Sequence, residues 1–235
     1  GFKYEWDFDN DGNPDRTTAL TTASVVSESF TFADDDTYTV RVRVSDKDGG
    51  FVDLLTDVVV NNVNPTLSVT GNNTVAEGSD YTLNLSATDP GDDTIVEWIV
   101  DWGDGAVDTF TSATAAATHQ FADNGIFNVQ VKARDEDGVY TASKSVTVSN
   151  AAPILSNLNA TTIDEGCITT LTGTVTDAGA DSFTLTIDWK DGTEETFELA
   201  AGTTDFAFTH RYSDDNPSGT PQDTVTFDLT IKDDD

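Results

Sequence analysis

The sequence predicts an all-β chain of tandem β-sandwiches, and three observations carry that prediction. An alternating aromatic strand runs into an Asp/Gly turn three times: Phe2, Tyr4, Trp6, Phe8; then Val96, Trp98, Val100, Trp102; then Phe183, Leu185, Ile187, Trp189. A second alternating strand follows each and ends in acid. It reads Tyr38, Val40, Val42, Val44 before Asp46-Lys47-Asp48-Gly49, then Phe127, Val129, Val131, Ala133 before Asp135-Glu136-Asp137-Gly138. The last copy is Val225, Phe227, Leu229, Ile231 before Asp233-Asp234-Asp235. Alternation of period 2 marks strands with one buried and one wet face, as in antiparallel sheets. Thirdly, Asn64-Pro65 and Ala152-Pro153 lie 88 residues apart, as do Glu77-Gly78 and Glu165-Gly166. That interval suits one seven-stranded sandwich used as a repeat.

The elements fall into three units. Residues 1–62 match only the second half of a unit, residues 63–150 make a complete one, and residues 151–235 lack the last strand. The boundaries Asn61-Asn62-Val63-Asn64-Pro65 and Ser149-Asn150-Ala151-Ala152-Pro153 are short, polar and proline-ended, so neighbouring units should touch. The chain reads as a window on a longer polypeptide. Its missing strands are expected from flanking residues or, by strand complementation, from another copy, and the bare edges are expected beside Trp6 and beside Val225–Ile231.

Net charge is −32 with an isoelectric point near 4.1, which argues against nucleic acid and anionic membranes as partners. No apolar run is long enough for direct membrane insertion. The acid is 34 Asp against 9 Glu, clustered in turns beside Gly and Asn. A solvated halophilic surface should recruit both acids alike, so the bias favours short oxygen ligands for calcium, although both explanations can hold together. Cys167 is the single cysteine, so there is no disulfide framework, and it reads as a small semi-buried residue. Sequons at Asn72, Asn84 and Asn159 permit glycosylation but arise readily by chance in such a composition.

The strongest motif is Asp7-Phe8-Asp9-Asn10-Asp11-Gly12-Asn13-Pro14-Asp15. Its D-x-D-x-D-G-x-x-D spacing is that of the first nine positions of a calcium loop. Asp7, Asp9 and Asp11 converge, Gly12 turns, Asn13 offers a carbonyl and Asp15 closes. The twelfth position is Thr18 and a strand precedes the loop, which excludes an EF-hand. The competing reading is a plain Asp/Asn/Gly turn. At the shorter turns Asp101-Trp102-Gly103-Asp104-Gly105 and Asp188-Trp189-Lys190-Asp191-Gly192, the tryptophan should plug the core while Asp-Gly closes a hairpin.

These phrases resemble the Trp-Asp-Phe-Gly-Asp-Gly signature of PKD domains. So do His119-Gln120-Phe121, His210-Arg211-Tyr212 and the closing Asp-x-Asp-Gly. The chain departs from that signature at Lys190, where the family has glycine, and in the longer Asp7–Asp15 loop, which looks like the variant of bacterial surface repeats. The resemblance implies immunoglobulin-like sandwiches in extracellular multidomain proteins, often calcium-bound and non-catalytic. His119 and His210 read as structural, since no nucleophile or recurrent acid pair accompanies them.

In a seven-stranded unit the first and last strands run the same way, so units should stack head to tail. The first junction would then gather Asp89, Asp92, Asp93, Asp135 and Asp137 against the Asp7–Asp15 loop. The second would gather Glu77 and Asp104 against Asp177, Asp181 and Asp233–Asp235. The expected function is a calcium-binding structural or adhesive spacer in a surface protein, surface layer or extracellular filament. The alternative is an accessory substrate-binding module of a secreted hydrolase, which would need an exposed aromatic strip.

Overall fold

The computed structural model describes residues 1–213 and 224–234, and every described element is a strand. Unit one holds β1 (Phe2–Asp7), β2 (Arg16–Thr17), β3 (Asp36–Asp46) and β4 (Phe51–Val60), in the order β2-β1-β3-β4. The middle unit holds β5 (Thr66–Gly71), β6 (Thr74–Ala76), β7 (Asp80–Thr88), β8 (Glu97–Asp101), β9 (Val107–Thr111), β10 (Ala116–Gln120), β11 (Gly125–Arg134) and β12 (Val139–Ser149). Its two sheets run β10-β7-β5 and β6-β12-β11-β8-β9. Unit three holds β13 (Ile154–Ala160), β14 (Ile168–Thr176), β15 (Phe183–Asp188), β16 (Glu194–Leu199), β17 (Asp205–Arg211) and β18 (Asp228–Asp233), as β13-β14-β17 and β16-β15-β18.

Among the described residues, each neighbouring unit shares part of the middle unit's strand order. β9-β8-β11-β12 recurs as β2-β1-β3-β4 in unit one, and β10-β7-β5 recurs as β17-β14-β13 in unit three. The alternation seen in the sequence becomes a face in each case. Leu83 and Leu85 of β7 meet Trp98 and Val100 of β8 and Val129, Val131 and Ala133 of β11, all almost fully enclosed. In unit three Leu171, Val175, Phe183, Leu185, Ile187, Trp189 and Phe206 form the equivalent core. In the apolar core of unit one only Trp6, Phe8 and Val40 are buried, their apolar neighbours partly so.

Three expectations change here. In unit one the bare edge is not the strand around Trp6, because β1 is paired on both sides, to β2 and β3. The open edge is β4, whose Phe51, Leu54, Leu55 and Val59 are each more than half exposed. Its counterpart β12 has β6 running parallel beside it and tucks Val146 and Val148 into the core. The last acidic strand begins at Asp228, so Val225 and Phe227 precede it, and Asp235 lies outside the described residues. Cys167 is exposed and not semi-buried, lying in the turn before β14 beside the exposed Asp164 and Glu165.

Candidate metal sites at the domain junctions

Each short turn is closed locally. Trp102 and Trp189 are fully enclosed, and their indole N–H groups donate to Asp108 and Glu195 at 2.8 Å. Gly103 and Gly105 take positive φ, as does Lys190 at 63°, which therefore holds a left-handed position without the freedom of the glycine it replaces. His119 Nε2–H donates to Asp104 at 2.6 Å, and His210 Nε2–H donates to Asp191 at 2.7 Å. Asp104 is thus occupied by histidine within its own unit. It is not one of the acids grouped at the second junction, which are Glu77, Asp177 and Asp181.

The Asp7–Asp15 loop also folds back on itself. Asp7 is buried and accepts from the Asp11 and Gly12 amides and, at 2.6 Å, from the Arg41 guanidinium. Asp11 accepts from the Asn13 amide, and Asp15 from the Phe8 amide. Asp7, Asp9 and Asp15 still bring carboxylate oxygens within 4.8 Å of one another, but Arg41 already supplies a cation there. Sequence spacing gave no sign of Arg41, which arrives from β3 across the sheet.

The junctions are different. At the first, the Asp92 amide donates to the Ala33 carbonyl at 2.8 Å, directly joining the middle unit to unit one. Unit one contributes Asp34 and Asp35 to this contact, which group with Asp93 within 4.8 Å. They stand where the Asp7–Asp15 loop was expected, because the Ala33 turn before β3 is the part of unit one bonded to Asp92. Asp93 is pushed up to about 6, first by desolvation, then by a hydrogen bond shared with Asp34 and by the charges of Asp89 and Asp137. Asp137 is also raised, first by desolvation and then by Asp35. Asp135 is buried. Its Oδ1 accepts from the Asp137 and Gly138 amides, and its Oδ2 has no partner. Asp89 Oδ2, Asp93 Oδ1 and Asn62 Oδ1 are likewise covered and unpartnered. Asp89, Asp93 and Asp135 line one cavity. Asp92 and Asp137 keep exposed side chains, and Asp92 joins the junction through its backbone.

The second junction repeats the first. The Ala180 amide donates to the Ala122 carbonyl at 2.9 Å. Asn150 Oδ1 and both Asp177 oxygens are buried without partners. Asn62 and Asn150, Asp89 and Asp177, and Asp93 and Asp181 are each 88 residues apart. Glu77, Asp177 and Asp181 bring oxygens within 4.8 Å of one another. Two like unit charges at such a distance repel by roughly 3–4 kcal/mol at an effective dielectric near 20. Unpartnered buried carboxylates carry a further desolvation cost. A hard divalent cation answers both costs, and an all-oxygen set of carboxylates with an amide carbonyl is the donor chemistry that calcium takes.

The family model described as PKD domain matches residues 62–149. Residues 62–149 form a PKD domain. The match spans the middle unit, whose head and tail build the two junctions. No curated protein matches the chain. Among solved structures, an I-band fragment from titin shares 13% identity at a TM-score of 0.40, covering 99% of this chain and 83% of that one. The amphioxus IgVJ-C2 molecule shares 17% at 0.38, covering 62% and 88%. Carbohydrate-binding modules from the β-sandwich superfamily share 15% at 0.36, covering 74% and 92%. Among the described residues, the exposed aromatic side chains are Phe2, Phe30 and Phe51, all in unit one. The described residues of the PKD domain and unit three carry no such strip. No described helix is long and apolar enough to cross a membrane.

Proposed function

We propose that this chain is a non-catalytic extracellular spacer of a surface protein, with its PKD-type units locked end to end by calcium at each junction. The observation that supports this reading is the recurrence, at one repeat interval, of buried unpartnered oxygens on Asn62 and Asp89, and again on Asn150 and Asp177. A solvated acidic surface would not hide acceptor oxygens in the same places twice. The neighbouring repeats are then the chain's immediate partners, and a surface layer, adhesin or filament is the setting that needs such a rod. The PKD domain and unit three have closed cores, so calcium removal should loosen the contacts between units and leave those sandwiches folded. Small-angle scattering with calcium and then with chelator tests this. A broadened distance distribution at unchanged circular dichroism is expected, and an identical distribution in both states would overturn it.

A further inference from the structure

The second junction contains a side chain that the first does not explain. Glu77 belongs to the PKD domain, in the turn between β6 and β7, yet it is only 1% exposed. Its Oε1 accepts from the Ala151 amide of the linker at 2.7 Å, while Oε2 is buried without a partner. The carboxylate lies against Gly179 of unit three, where a methyl group would sit 2.9 Å from Glu77 Cδ and 2.4 Å from Asp181 Oδ2. Gly78 packs so closely that its own methyl would fall 2.6 Å from the Ala178 carbonyl oxygen.

The chain supplies an internal control. Glu165 occupies the same turn one repeat later, and the Gly166 amide donates to Tyr212 at 2.8 Å just as the Gly78 amide donates to Phe121. Glu165 is nevertheless exposed. The turn alone therefore does not enclose the glutamate. Contact with the next unit does.

We infer that Glu77 is a metal ligand supplied across the domain boundary, so that one divalent cation is held jointly by Glu77, Asp177 and Asp181. This rests on the calcium reading of the junctions and deepens it: the ion is shared by two units and is no longer the property of one. Glu77 holds the linker with one oxygen and offers the other to the ion, so linker path and metal occupancy are set by a single carboxylate. The missing methyl of Gly179 keeps the space between the two units' acids open.

The test is calorimetric titration of calcium chloride into the chelator-treated 235-residue chain and its variants. Glu77→Gln keeps the Oε1 acceptor for the Ala151 amide but removes the charge. It should weaken one class of site at least roughly 10-fold, since even losing an outer-shell partner has that effect. Asp89→Asn should weaken the other class and leave this one intact. Gly179→Ala retains every carboxylate and should lose the same site as Glu77→Gln, which keeps the inference testable should Glu77→Gln disturb folding by circular dichroism. Wild-type chain that binds no calcium would overturn the calcium reading itself. Wild-type binding with Glu77→Gln and Gly179→Ala both unchanged would overturn the assignment of Glu77 alone and leave a site confined to unit three.

Discussion

His119 lies flat on Trp102, ring centroids 4.6 Å apart and planes 10° off parallel, and His210 repeats this on Trp189 at 4.6 Å and 11°. Each histidine links a core tryptophan to the turn aspartate that closes the hairpin. The pair is a brace and contributes through stacking and one charge-assisted hydrogen bond. His119→Ala should therefore destabilise the PKD domain by about 1–2 kcal/mol, and His119→Phe, which keeps the stack, by less. Urea unfolding followed by amide exchange in β11 checks this, and calcium titration should be unaffected.

The same brace sets a pH window. Burial opposes ionisation of Asp191, yet hydrogen bonds from the Thr193 hydroxyl and from His210 outweigh it and hold the carboxyl down at about 2. A depressed carboxyl stabilises the folded state above its unfolded value, near 3.8, and that contribution fades as pH falls through the folded value. Unit three should thus keep the contribution of Asp191 at pH 5 and lose it between about 4 and 2. A carboxyl titration by NMR with a midpoint near 3.8 would contradict the brace.

Calcium should prefer the junctions to the Asp7–Asp15 loop. Asp7 is already neutralised by Arg41, and Asp11 and Asp15 cap backbone amides, whereas junction oxygens are left without partners. Asp9→Ala and Asp11→Ala should leave the tightest binding class unchanged, while Asp93→Asn should remove one ion. Loss of the tightest class on Asp9→Ala would restore the loop as the principal site.

The limits of the sequence are visible in that contrast. Alternation located the sheets because burial is written into every second residue, and strand order alone put Asp89 at the first junction and Asp177 at the second. Spacing made the Asp7–Asp15 loop look best because only local carboxylates can be counted along a chain. What weakens it is Arg41, 34 residues away from Asp7, and what strengthens the junctions is that Asp135 Oδ2 and Glu77 Oε2 are buried without partners. Neither a distant neighbour nor a missing one leaves a local sequence signal.

The open edge of β4 should show in exchange and in association. Beyond its pairing with β3, β4 has no further strand among the described residues, and Leu54, Leu55 and Val59 face solvent. Its unpaired amides should exchange far faster than those of β12, and the chain should self-associate with rising concentration. Leu55→Lys with Val59→Lys should suppress that association in sedimentation velocity. Equal protection in β4 and β12 of a monomer would show the edge to be sealed.

Gly78 and Gly166 separate strain within a unit from contact between units. Both hold positive φ, 64° and 69°, so alanine at either position adopts a left-handed conformation costing roughly 1 kcal/mol. An added methyl at Gly166 meets nothing within 4 Å, but at Gly78 it meets the Ala178 carbonyl at 2.6 Å and the Ala178 methyl at 2.9 Å. Backbone of this kind cannot rotate away, so relief requires unit three to move. Gly166→Ala should lower stability modestly and leave the scattering profile and calcium binding as they are. Gly78→Ala should carry the same local cost, and in addition open the second junction and weaken its calcium site. Paired measurement of thermal unfolding, small-angle scattering and calorimetry on the two variants decides the point. Identical behaviour of the two variants in all three would show that the second junction does not hold these units together in solution.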